Sequence, residues 1–138
     1  EPKAEAWVRK LDISHAVDLL PPHPHAGMGD VFRSAAVMAS PTTHDGTPNS
    51  LLESMACGCF PIVGDVESLR EWITPGLNGL VVDAGDPRAL ATAILDALKD
   101  NNLRARAARE NSRIISERAD YSICMAQAEA FYRQVVGG

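Results

Sequence analysis

In His44-Asp45-Gly46-Thr47-Pro48-Asn49-Ser50-Leu51-Leu52-Glu53, two carboxylates stand with seven residues between them, on either side of a Gly-Thr-Pro turn. Gly46 lets the backbone turn tightly or approach a ligand closely, and Thr47-Pro48 can cap and open a helix. Such a helix presents the free N–H groups of Asn49, Ser50 and their neighbours, with its positive dipole end, to whatever lies in front, and a phosphate suits that place. Helical spacing puts Leu52, Met55 and Ala56 toward a core and Glu53 on a stripe with Asn49, Ser50 and Cys57. A carboxylate accepts two hydrogen bonds in a fork, which matches a vicinal diol such as a ribose; Asp45 can do the same for a second set of hydroxyls. Phosphate between two polyols describes a nucleotide sugar. The local pattern leaves an equal alternative open, in which Asp45 only caps the turn and Glu53 is a solvated helix residue.

These residues need a scaffold, and the rest of the chain predicts one. Ala4 to Leu11 reads as a helix, because Ala4, Trp7, Val8 and Leu11 recur at helical spacing. Ala16 to Leu20 reads as a strand. The stretch PPHPHAGMG, Pro21 to Gly29, reads as loop from its prolines and glycines, with Asp30 to Ala35 a short helix after it. Ala36 to Ser40 is a buried strand stopped by Pro41. Phe60 to Val63 and Leu80 to Asp83 are further strands, with a helix over Glu67 to Ile73 between them that Pro75 and Gly76 end. Asp86 followed by Pro87 starts a helix in the usual way, and its Leu90, Ala93, Ile94, Ala97 and Leu98 make one apolar face. Helices over Leu103 to Arg118 and Tyr121 to Val136 finish the chain. Strands alternating with helices imply parallel βαβ units and a doubly wound α/β sheet, in which ligands bind at the carboxyl ends of the strands. The loop after Ser40 lies at such an end.

The pattern Asp45-Gly46-x-Pro48, then Leu52-Glu53-x-Met55-Ala56-x-Gly58 and Pro61-Ile62-Val63, resembles the nucleotide-sugar-binding half of the retaining family 4 (group 1) glycosyltransferases, which have the GT-B fold. The resemblance continues through LREWI, PGLNGLVVD and GDPRALATAI, and more loosely upstream through AVDLLP and DVFRSAAVMASPT. It implies a Rossmann-like parallel sheet with flanking helices. It also implies that Glu53 matches the glutamate holding the ribose, that the loop backbone at Gly46, Thr47, Pro48, Asn49 and Ser50, with the amides around it, faces the donor diphosphate, and that Asp45 stands where the family has a glutamate on the donor sugar. Asp45 is one methylene shorter than that glutamate. Asp45 and Glu53 are thus the expected catalytic-site carboxylates, acting as binders first; nothing resembles a nucleophile. No cofactor or metal is implied, only a nucleotide-diphosphate sugar as donor.

The resemblance further implies missing parts. A GT-B nucleotide domain opens with two strands before the equivalent of Ala16 to Leu20, and that region supplies an Arg and a Lys for the leaving diphosphate. The acceptor-binding N-terminal domain is absent as well. Residues 1–138 are accordingly expected to form a single, incomplete domain that transfers no sugar by itself, and the start at Glu1 rather than Met agrees with a piece of something longer. Alternatives are a non-catalytic nucleotide-binding or interaction module of the same fold, and a GT-B sugar-nucleotide epimerase, which the DGTPNSLLE pattern fits less well.

Composition sets the outer bounds. With 138 residues, 46% hydrophobic and 22% charged, the chain has the size of one globular domain. A mild net charge of -5, with Arg104, Arg106 and Arg109 beside Glu110 and Glu117, argues against nucleic acid as a partner. Cys57, Cys59 and Cys124 read as reduced thiols of a cytoplasmic protein. No window is apolar enough for a membrane span, so membrane contact would be peripheral. His15, His23, His25, His44 and the Cys57-Gly-Cys59 pair match no standard zinc spacing. The Pro22 to Gly27 loop is a possible nucleobase contact beside the plainer reading of exposed loop. Glu71 reads as a surface residue and Trp7 and Trp72 as core or interface residues. A face of Ala128, Phe131, Tyr132 and Val135 is expected against the missing domain, so that the isolated chain would tend to self-associate. A bacterial role in surface polysaccharide or glycolipid synthesis is what the resemblance implies.

Overall fold

The computed structural model describes residues 2–22 and 24–137. Helices α1 (Pro2–Lys10) and α2 (His25–Ser34) precede strand β1 (Val37–Ser40), helix α3 (Asn49–Ala56), strand β2 (Phe60–Gly64), the short helix α4 (Glu67–Arg70) and strand β3 (Leu80–Val82). Three long helices follow: α5 (Pro87–Lys99), α6 (Asn101–Arg118) and α7 (Tyr121–Val136). The strands form one parallel sheet in the order β1-β2-β3, with Val37 opposite Phe60 and Ile62 opposite Leu80.

The middle strand is buried along its whole length, and its side chains alternate between two cores. Val63 joins Leu51, Met55, Leu69 and Ile73 on one side of the sheet; Phe60 and Ile62 join Val82, Ala97 and Ala107 on the other. Helix α6 reaches both, with Leu103 packing on the second cluster and Ile114 and Ile115 on the first. Asp86 caps α5 as its sequence predicts, accepting from the amides of Arg88 and Ala89 with Pro87 in the first turn.

Several expectations are corrected. Ala16 to Leu20 is not a strand: it has no ladder partner among the described residues, and Leu19 and Leu20 remain exposed. A strand exists only against a neighbour, and β1, the nearest in sequence, pairs with β2. The proline- and glycine-rich stretch is loop only at its start, because Pro24 is the N-cap of α2 and residues from His25 on are helical. His23 lies outside the described residues. The cost of Gly27 and Gly29 inside that helix, about 1 kcal/mol each, is met by tertiary contact of α2 with α3.

Helix α4 ends at Arg70 rather than Ile73, with Glu71 as its C-cap, and the amides of Trp72 and Ile73 both donate back to the Leu69 carbonyl, which carries Ile73 into the core. In α3 the buried face is Leu51, Ser54 and Met55, with Leu52 half-buried and Ala56 exposed. Leu98 at the end of α5 is likewise exposed, as is Trp7, whereas Trp72 is half-buried against the first core. The α7 face with Phe131, Tyr132 and Val135 is uncovered, and no residue of that helix is buried. No described helix is long and apolar enough to cross a membrane.

One glycine ties the sheet to the loop that follows β1. A Cβ at Gly64, the last residue of β2, would lie 1.9 Å from the carbonyl oxygen of Thr42. Gly64→Ala must therefore displace the start of the 41–48 loop, and it is expected to destabilise the chain by about 3 kcal/mol. A urea midpoint equal to that of the wild type would contradict this close approach.

Candidate functional site

The carboxyl end of β1 delivers the chain into the 41–48 loop. Its entry is closed by Thr42, whose hydroxyl donates to the His44 carbonyl at 2.9 Å and accepts from the His44 amide at 3.3 Å. Two side chains from the α4 segment then hold the loop: the Ser68 hydroxyl donates to the Asp45 carbonyl at 2.8 Å, and the Trp72 indole N–H to the Thr47 hydroxyl at 3.3 Å. Pro48 is the N-cap of α3, and no side chain caps that helix end. The first-turn amides of Asn49 and Ser50 are left to solvent or a ligand, at the positive end of the helix.

Gly46 needs no special backbone: its φ is not positive, and a Cβ there would meet nothing within 4 Å. The tight-turn reading of this glycine is thereby corrected, and what remains is that the backbone here is open to close approach. Asp45, Gly46, Thr47, Asn49 and Ser50 are all exposed, and Pro48 is half-buried. The Asp45 carboxylate has no partner among the described residues.

Glu53 lies one turn into α3 and is half-buried, with Oε1 3.0 Å from Nε2 of His25 at the start of α2. These two residues border a groove of about 330 Å³ between α2 and α3 that Gly29, Arg33 and Cys57 also line. Arg33 is tied to Asp30 at 2.7 Å across the helix surface. The carboxylate thus sits where a helix terminus, an open loop and a groove meet. Its contact with His25 spans 28 positions and carries no local sequence signal.

The thiols divide by burial. Cys59 is buried, which pushes its thiol up to about 11, while Cys57 is half-buried at the groove wall. Among the described residues no group of three His, Cys, Asp or Glu side chains is placed to hold a metal ion. A second hollow opens where the three strands end, lined by Thr42, Thr43, Asp65, Asp83 and Ala84. There Asp65 pairs with Arg70 at 2.8 Å, which lowers its carboxyl, and Asp83 accepts from the Gly85 amide. A hollow of about 660 Å³ lies on the exposed side of α7 and includes none of the loop residues.

The fold and this placement of the loop define an α/β domain of the GT-B C-terminal type. Comparison with known proteins places it more closely. The family Glycosyl transferases group 1 matches residues 1–113, and the chain belongs to that family. A D-inositol 3-phosphate glycosyltransferase from Thermobispora bispora is 33% identical over 91 residues, which is 66% of this chain and 21% of that protein. Sucrose-phosphate synthase from Thermosynechococcus elongatus superposes with a TM-score of 0.93 at 23% identity, over 99% of this chain and 34% of the synthase. Anabaena HepE, solved with UDP-glucose, superposes with a TM-score of 0.85 at 20% identity, over 95% of this chain and 36% of HepE. These superpositions show the fold. The chain spans 21% to 36% of the length of these three proteins.

Proposed function

We propose that residues 1–138 form the donor-binding domain of a retaining, family 4 glycosyltransferase. The observation that carries this reading is the uncapped N-terminus of α3 standing between the Asp45 and Glu53 carboxylates at the carboxyl end of β1. In this reading Glu53 takes the ribose diol, the amides around Gly46 to Ser50 face the diphosphate, and Asp45 takes hydroxyls of the donor sugar. The names of the relatives support it, since one is an inositol phosphate glycosyltransferase and HepE was solved with UDP-glucose.

In the reaction the bond between the anomeric carbon and the diphosphate oxygen breaks, with its electron pair leaving on the diphosphate. A bond to the acceptor oxygen forms on the same face, and the acceptor's proton passes to the departing diphosphate. The domain's share is orientation of the donor and stabilisation of the negative charge that grows on the diphosphate, for which an uncapped helix terminus is suited. The chain belongs to a larger cytoplasmic enzyme of polysaccharide or glycolipid synthesis. Its acceptor-binding half covers the apolar side of α7, where Phe131, Tyr132 and Val135 are each more than 60% exposed. Alone, the chain binds donor without transferring sugar and tends to self-associate through that side.

Calorimetric titration with UDP, GDP and their sugar conjugates tests the reading. Asp45→Ala is expected to weaken the sugar conjugates about tenfold, the loss of one hydrogen bond to a charged group, and to leave UDP and GDP unchanged. Equal weakening of the free nucleotides would remove Asp45 from the sugar's surroundings, and a folded wild-type chain that binds none of these ligands would remove the donor assignment from this chain.

A further inference from the structure

The residues that reach the candidate loop from outside it are not ligand contacts, yet they decide where its amides lie. Trp72 is held on three sides. Its ring packs on the first core, the Arg118 guanidinium lies 4.4 Å from its centroid, and its carbonyl accepts from the Asn78 side chain at 2.8 Å. Arg118 is itself fixed, donating to the Glu71 carbonyl at 2.9 Å. A ring so constrained has little freedom left, and its single polar atom is spent on Thr47, 25 positions earlier in the chain. Thr47 directly precedes Pro48, the N-cap of α3.

We propose that Trp72 is a positioning residue for the donor loop, with Arg118 at the end of α6 as its clamp. The inference rests on the donor reading given above and deepens it: the indole N–H holds Thr47, and through it the Pro48 cap, so that the Asn49 and Ser50 amides are in place before the diphosphate arrives. Without the anchor the 45–48 segment samples other conformations, and binding must supply the cost of ordering it. Ser68 supports the same loop at Asp45, whereas Trp72 links it through Arg118 to α6.

Trp72→Phe keeps a ring in the core and under Arg118 while removing the N–H; Thr47→Val keeps the shape of Thr47 while removing the acceptor. Each is expected to weaken UDP and GDP about fivefold, the factor set by one neutral hydrogen bond of about 1 kcal/mol. The double variant should bind no worse than either single one, because both remove the same contact. Trp7→Phe, remote from the loop in sequence and exposed, serves as a control with unchanged affinity.

Hydrogen exchange of the indole N–H groups by NMR supplies a reading independent of ligand. Thr47→Val should speed exchange at Trp72 and leave Trp7 as it was, with a fall in the unfolding midpoint no larger than one hydrogen bond explains. Wild-type affinity in both variants, or losses that simply add in the double variant, would overturn the positioning role while leaving the donor reading intact. A flat titration with the wild-type chain is a different failure: it overturns the donor reading, and the positioning role with it.

Discussion

Replacing Glu53 by alanine is expected to weaken UDP and GDP alike by about a hundredfold. Two hydrogen bonds from a diol to an ionised carboxylate contribute about 1.5 kcal/mol or more each, and about 2.8 kcal/mol corresponds to that factor. The loss should be the same with and without a sugar on the diphosphate, because the diol belongs to the nucleoside; this separates Glu53 from Asp45. Folding should be little affected. Helix α3 is held by Leu51, Ser54 and Met55, all at 0% exposure, and the Glu53 contact with the well-exposed His25 is a surface pair of small worth. Glu53→Gln keeps the size of the side chain but replaces one acceptor oxygen by a donor, so it should recover only part of the affinity. His25→Ala provides the control for the lost pair. If Glu53→Ala binds both nucleotides within twofold of a wild type that itself binds, the carboxylate does not hold the ribose.

What could be read from residue order follows from the range of each interaction. Asp86-Pro87 marks a helix start because an N-cap acts over three residues, and the structure has that cap with both of its hydrogen bonds. The apolar run at Phe60 to Val63 is the central strand of the parallel sheet and is buried on both faces, as its sequence predicts; the run before Pro41 is a strand too, but it lies at the edge of the described sheet and is half-buried to exposed, so the expectation of a buried strand there is corrected. The phase of α3 is less legible: an eight-residue helix containing Leu51-Leu52 admits two apolar faces, and its packing against β2 and α6 selects the one with Leu51, Ser54 and Met55. Gly27 and Gly29 carried the wrong weight, since their helix cost is small beside the tertiary contact that forms α2. In the candidate site, the two carboxylates and the turn between them stood out because they are close in sequence. His25, Ser68 and Trp72 did not, because they reach the same place from elements more than twenty positions away.

Asn78 and Asn111 are the extreme case of that long range, and removing either should cost the fold more than any other polar substitution considered. Both are 0% exposed. The Asn78 amide donates to the Trp72 carbonyl at 2.8 Å and to Oδ1 of Asn111 at 2.9 Å, and its oxygen accepts from the Thr74 amide at 2.7 Å. Asn111, on α6, returns a bond to the Asn78 carbonyl at 3.0 Å. Among the described residues no buried side-chain nitrogen or oxygen lacks a partner, so this network is complete and each deletion strands several groups at once. Asn78→Ala leaves a carbonyl, an amide and the Asn111 side chain short of partners, and at about 1 kcal/mol or more for each it should destabilise the chain by about 3 to 4 kcal/mol. Asn111→Leu fits an apolar group of similar size against the first core, yet strands the Asn78 amide and carbonyl, for about 2 to 3 kcal/mol. Because the two side chains satisfy each other, the double variant should cost less than the sum of the singles by about 1 kcal/mol. Urea unfolding of the four proteins tests this, and strictly additive losses would mean that the two asparagines stabilise the chain separately. The network also fixes the Trp72 carbonyl, so a partly folded Asn78→Ala chain should lose protection of the Trp72 indole N–H before its sheet unfolds, which ties the stability of the 72–78 turn to the order of the loop in front of α3.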